Sequence, residues 1–230
     1  MKNKDLKIVI VASTNGSVMN KLFQNTFFKK CIYSVVSDRQ CGALEVAKNN
    51  GIAFKLFNER DKEVFCDKLL VYLIENQIDY VISFFTKLFV GNIIDVYKDR
   101  IINLHPAILP SFKGLDGFGD SVRYGSRFIG STIHFIDKNM DEGKIIIQTA
   151  SPLNLNKDIS YNRNIIFQHQ CKSLLQVAKW LYDERIYVKD DKVIIKDGAF
   201  DEFEFSPNLD FVEAKDLFKD NNKDVTIYNV

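Results

Sequence analysis

The sequence predicts an α/β fold: a doubly wound, mostly parallel sheet with helices on both faces, followed by a C-terminal long helix, a hairpin and a tail. Two observations carry the prediction. Apolar runs of strand length alternate with amphipathic segments through the first hundred or so residues, the pattern of a parallel sheet covered on both faces. The right-handed crossover rule then makes such a sheet doubly wound.

The elements follow in order. "LKIVIVA" opens as a strand and residues 17–29 as a helix; "CIYSVVS" and residues 41–50 repeat the unit, as do "IAFKLF" with 61–76 and "YVISFF" with 87–97, before "RIINL" closes the series. After Pro110 the segment to Gly130 is rich in glycine and reads as a loop, a short helix and a turn built around something. "STIHFI" and "KIIIQTA" are two further strands, antiparallel across the acidic loop "DKNMDEG". Residues 162–184 carry apolar side chains at helical spacing and predict one long helix over the core. "RIYVKDDKVIIKDG" predicts a hairpin turning at Asp190-Asp191, and the last thirty residues, acidic and aromatic, show no clear period. Residues 1–185 are thus expected to form the main domain, and 186–230 a hairpin-and-tail appendage.

Composition narrows the class. A chain of 230 residues can bury a full core, and 31 basic against 30 acidic side chains leave no field that would draw nucleic acid or an anionic membrane. Cys31, Cys41, Cys66 and Cys171 are scattered without a C-x-x-C pair, so neither a disulfide framework nor a metal ligand set is expected. The basic N-terminus leads into an apolar run too short and without the cleavage site of a signal peptide, so the cytoplasm is the expected compartment.

Chemistry is expected beyond the carboxyl ends of the strands, where loops of an open parallel sheet converge. Asn103 and His105 end "RIINL", and Asp141 lies in the loop after "STIHFI". An amide, an imidazole and a carboxylate suit acyl transfer to nitrogen: the tetrahedral oxyanion needs donors, and the attacking amine must lose a proton. Spacing alone equally allows Asn103 to cap a turn, His105 to be a structural residue and Asp141 to be an ordinary loop carboxylate.

"INLHPAILPSFKG" followed by "GSTIHFIDKNMDEGKIIIQ" resembles the folate-dependent formyltransferases, whose pattern runs Asn-x-His-Pro, Leu-Pro, a glycine, and later Thr-x-His with Asp-x-Gly beginning seven residues after that histidine. "STNGS", "VVSDRQ" and "FFTKLF" extend the resemblance across residues 6–185, and the glycinamide ribonucleotide branch is the nearest in pattern. The resemblance implies 10-formyltetrahydrofolate as donor, no metal, and Asn103, His105 and Asp141 as the catalytic trio. His134 and Thr132 would support them. The donor's flat heterocycle would lie against Phe85, Thr86, Lys87, Leu88 and Phe89 on one side and Ile136, Asp137 and Met140 on the other. Asn15, Gly16, Ser17, Arg60, Pro106, Gly114 and Gln170 would meet the acceptor, with the glycine turn taking its phosphate.

The acceptor half departs from the pattern. Val18 stands where another Asn is usual, Gln170 replaces a glutamate, and Asp116 and Phe118 occupy positions where histidines are common. The expected reaction is therefore N-formylation of a primary amine on a phosphate-bearing small molecule, with glycinamide ribonucleotide in purine biosynthesis as the first acceptor. A nucleotide-linked amino sugar of surface-polysaccharide biosynthesis is the alternative, in which the added hairpin and tail would serve a homodimer. A formyltetrahydrofolate hydrolase and an inactive folate-binding protein are the remaining readings. His169, on the long helix between Gln168 and Gln170, either reaches the acceptor or lies exposed.

Overall fold

The computed structural model describes residues 5–219, which divide into two compact units: 5–103 with 135–143, and 104–134 with 144–219. The first unit runs β1 (Ile8–Ala12), α1 (Ser17–Leu22), α2 (Thr26–Cys31), β2 (Ile32–Ser37), α3 (Gly42–Asn49), β3 (Phe54–Leu56), α4 (Lys62–Glu75), β4 (Tyr80–Phe84), α5 (Asn92–Val96) and into β5 (Ile101–His105), whose last two residues belong to the second unit. Its strands are all parallel, in the order β3-β2-β1-β4-β5. The chain winds outward from β1 to β3 and then crosses back to β4, so right-handed crossovers put the two sets of helices on opposite faces.

That arrangement explains why β1 is apolar throughout. Val9 and Val11 join Val36, Val81 and Ile101 on one face, where Phe65, Cys66, Leu69 and Leu73 of α4 and Ile93 of α5 pack against them. Ile8 and Ile10, also fully buried, point to the opposite face by the pleat of the strand. Each such side chain contributes about 1.5–3 kcal/mol on burial. The start of α4 is fixed locally, because the Asp61 carboxylate accepts the backbone N–H groups of Glu63 and Val64.

The second unit adds α6 (Gly117–Tyr124), β6 (Phe128–Ile129), β7 (Thr132–Phe135, whose last residue belongs to the first unit), β8 (Ile145–Thr149), β9 (Ser151–Pro152), α7 (Ile159–Tyr182), β10 (Ile186–Lys189), β11 (Lys192–Ile195), β12 (Phe205–Ser206) and α8 (Val212–Asp216). Strands β7 and β8 are antiparallel, as the sequence predicts, and β12 adds to the far side of β8. Strands β10 and β11 form the predicted hairpin, with Asp190 and Asp191 both at positive φ, as a type I′ turn requires.

Two expectations change. Residues 17–29 are two helices, because the Asn25 side chain caps a new start by accepting from Phe28 N–H. Within 87–97 only Asn92–Val96 is helical, after Gly91 at φ 75°. The described part of the tail, to residue 219, falls in the second unit; residues 220–230 lie outside the described residues. Its anchor is Asp210, whose carboxylate accepts from Gln176 Nε2 at 2.7 Å and Trp180 Nε1 at 3.2 Å and pairs with Arg185 at 2.7 Å. Gln176, fully buried on α7, is satisfied in return by the backbone N–H groups of Asp210 and Phe211.

Candidate active site

In the first unit β1 is the switch point of the sheet, with β2 on one side and β4 on the other, and ligands in such folds sit beyond the carboxyl ends of the strands there. The loops that leave β1 and β4 hold the residues the sequence assigns to phosphate and donor. Asn15 is exposed, Gly16 turns at φ 76° and Ser17 opens α1. Phe85 and Phe89 turn their rings into the core, Phe85 stacking on Phe65 at 4.9 Å and meeting Phe89 at 5.3 Å. Thr86 and Leu88 are exposed. Arg60 is exposed too, and its carbonyl accepts a hydrogen bond from Lys87 Nζ at 2.9 Å.

A buried carboxylate ties these loops together. Asp38, 2 % exposed just after β2, accepts Ser13 Oγ at 2.9 Å and Arg39 Nε at 3.2 Å, and pairs with Lys87 Nζ at 2.7 Å. Burial pushes its carboxyl up, but the hydrogen bonds from Lys87, Ser13 and Arg39 outweigh that and hold it below the usual carboxylate range. Asp38 is absent from the sequence-based candidates. The available signal is its place at the first position after a buried strand beside the switch point.

Asn103, half-buried, is the partner of Ser83 in the β4–β5 register. Ile136 N–H donates to Ile101 O at 2.7 Å, which starts the 136–143 loop alongside β5. The loop closes tightly: a Cβ on Gly143 would lie 1.7 Å from Phe135 O, so only glycine fits the second position after Asp141. Asp141 is half-buried at φ 55°, a conformation aspartate tolerates better than most residues. Asp137 and Met140 are exposed, while Ile136 packs on the core.

In the second unit His105 is 3 % exposed, and its Nε2 donates to the Phe112 carbonyl at 2.7 Å. A carbonyl can only accept, so Nε2 carries a proton and Nδ1 decides the charge of the ring. The glycine-rich segment is folded over this imidazole. A Cβ on Gly117 would lie 2.6 Å from Nε2. Gly114 turns at φ 109°. Asp116 accepts Gly119 N–H and pairs with Arg123, and Phe118 is core beneath Arg163, so both residues at the altered positions have structural work.

Thr132 pins the turn that follows His105. Its fully buried hydroxyl donates to Ala107 O at 2.8 Å and accepts from Leu109 N at 3.0 Å and Gln148 Nε2 at 3.1 Å, with Pro106 half-buried in the bend. His134 is 1 % exposed, opposite Ile145 in the β7–β8 register. Gln170 is half-buried on α7. His169 is not exposed: at 2 %, its Nε2 lies 3.2 Å from Ser151 Oγ and 3.1 Å from Glu204 Oε1. Both contacts fall on one ring nitrogen, so the three are not a hydrolytic triad, in which serine and carboxylate must engage opposite nitrogens.

A parallel sheet with its switch point at β1, and an Asp-x-Gly loop that starts alongside β5 in the same unit, define an α/β fold of the ligand-binding, doubly wound class. The chain belongs to the formyl transferase family, whose model matches residues 6–177. It is 26% identical over 201 residues to the chloroplastic phosphoribosylglycinamide formyltransferase of Arabidopsis thaliana, spanning 81% of this chain and 69% of that protein. Among solved structures, phosphoribosylglycinamide formyltransferase of Streptococcus pneumoniae matches with a TM-score of 0.71 and 31% identity over 77% of this chain and 99% of that one. Glycinamide ribonucleotide transformylase 1 of Symbiobacterium toebii, at 23% identity and a TM-score of 0.78 over 85% of this chain and 96% of its own, shares the fold.

Proposed function

We propose that this formyltransferase moves a formyl group from 10-formyltetrahydrofolate to the primary amine of glycinamide ribonucleotide, in purine biosynthesis. The amine attacks the formyl carbon and forms the new C–N bond; collapse of the tetrahedral intermediate breaks the bond to the folate nitrogen, which leaves protonated as tetrahydrofolate. In this reading His105, as imidazolium, polarises the formyl oxygen, Asn103 donates to the same oxygen, and Asp141 favours the charged ring and takes the amine proton through water.

The observation that most supports it is the enclosure of His105. Burial, the Phe112 carbonyl and the glycine turn hold one imidazole in one orientation at a strand end, as a preorganised donor must be held. Thr132 serves the same turn, and His134 lies in the same strand two residues on. The backbone of Phe85–Phe89, freed for ligand because the two phenylalanine rings point inward, and the loop with Ile136, Asp137 and Met140 form the donor's walls. Asn15, Gly16, Ser17, Arg60, Pro106, Gly114 and Gln170 meet the acceptor.

One observation favours a second acceptor, a nucleotide-linked amino sugar: Asp116 and Phe118 are committed to a helix cap and a core, and so leave the acceptor unread at two positions. In either case residues 1–185 carry the catalysis and the C-terminal hairpin and tail serve self-association. Among the described residues no helix is long and apolar enough to cross a membrane, and we place the enzyme in the cytoplasm. The test is to incubate the protein and 10-formyltetrahydrofolate with glycinamide ribonucleotide, a panel of amino-sugar nucleotides, or no acceptor, and to weigh the products. A formyl gain on glycinamide ribonucleotide supports the first reading, a gain on a sugar the second, and formate without acceptor overturns both.

A further inference from the structure

The loops that leave β1, β2 and β4 are joined through one side chain. Asp38 takes Ser13 Oγ from the first loop, Arg39 Nε from its own, and Lys87 Nζ from the third. Arg39 reaches across to Thr86 Oγ1 at 2.8 Å, and Lys87 also donates to Arg60 O at 2.9 Å, at the threshold of α4. The lysine in the middle of the candidate donor loop is therefore turned back into the protein, only 28% exposed. A flexible four-carbon stem would otherwise carry this charge into solvent.

From this we infer that Asp38 is a positioning residue for the formyl donor: through Lys87, and with Arg39 on Thr86, it holds the Phe85–Phe89 backbone at the switch point in the shape that receives the flat heterocycle. The inference rests on the proposed reading of Phe85–Phe89 as a wall of the donor site. A carboxylate is suited to the task because it can accept from three cationic or hydroxyl donors at once, whereas an amide at the same place has one oxygen and presents N–H groups to Lys87. Burial makes the arrangement all-or-none, since removing one charge strands the other.

The test is calorimetric binding of 10-formyltetrahydrofolate to the full chain without acceptor. Asp38→Asn and Lys87→Met should each raise Kd about tenfold, Lys87→Arg should recover most of the affinity, and the double variant should bind no worse than either single change, because both break one link. Circular dichroism and thermal unfolding identify variants that fail to fold; should Asp38→Asn be among them, the comparison of Lys87→Met with Lys87→Arg decides. Wild-type affinity in a folded Asp38→Asn or Lys87→Met, or losses that multiply in the double variant, would overturn the positioning role while leaving the donor site in place. Absence of binding by the wild type is a separate outcome, which removes the donor-site reading and this inference with it.

Discussion

The first turn of α6 rests directly on the imidazole of His105: an added Cβ at Gly117 would stand 2.6 Å from Nε2 and 2.9 Å from Phe112 O. Gly117→Ala must therefore move the ring, the carbonyl that orients it, or the helix. Overpacking of this kind costs about 1–3 kcal/mol, and displacing a reacting group by even an ångström costs up to about 100-fold in rate. The expected result is a folded protein, less stable in urea, with kcat depressed more than stability would suggest.

Thr132→Val keeps the shape of the side chain and removes the hydroxyl. The Leu109 N–H and Ala107 carbonyl then lose their partner in a buried turn, which should cost about 1–3 kcal/mol. Chemical denaturation should show this loss for Thr132→Val and much less for Thr132→Ser. Equal effects in the two variants would mean that the methyl, rather than the hydroxyl, matters.

The tail contributes a pH-dependent contact. The hydrogen bond from His169, with Lys172 nearby, holds the Glu204 carboxyl below its usual range in the folded chain, against the opposing effect of burial. A carboxyl depressed on folding stabilises the fold above its unfolded pKa, and that contribution is lost as pH falls through the lower folded value. Glu204→Gln should therefore melt below wild type at neutral pH, and the gap should close below about pH 4.

The parts of this molecule legible in the sequence are those set by local pattern. The Asp190-Asp191 turn, the buried parallel strands and the placement of Asn103 and His105 at the end of β5 each follow from a few neighbouring residues. What stayed hidden depends on partners far away in the chain. Asp38 is one acidic residue among many until Ser13 and Lys87 are brought to it, and His169 reads equally as an acceptor contact or an exposed residue until Ser151 and Glu204 are brought to it. The break between α1 and α2 is an intermediate case. Asn25 is a cap by type, but the apolar spacing around it also suits one continuous helix.

The most direct measurement is the rate of tetrahydrofolate release, followed by absorbance, for wild type and His105→Asn with 10-formyltetrahydrofolate and glycinamide ribonucleotide. If the enclosed imidazole polarises the formyl group, the variant should fold normally and lose about 100-fold or more in kcat. Near-normal formyl transfer by His105→Asn would contradict it.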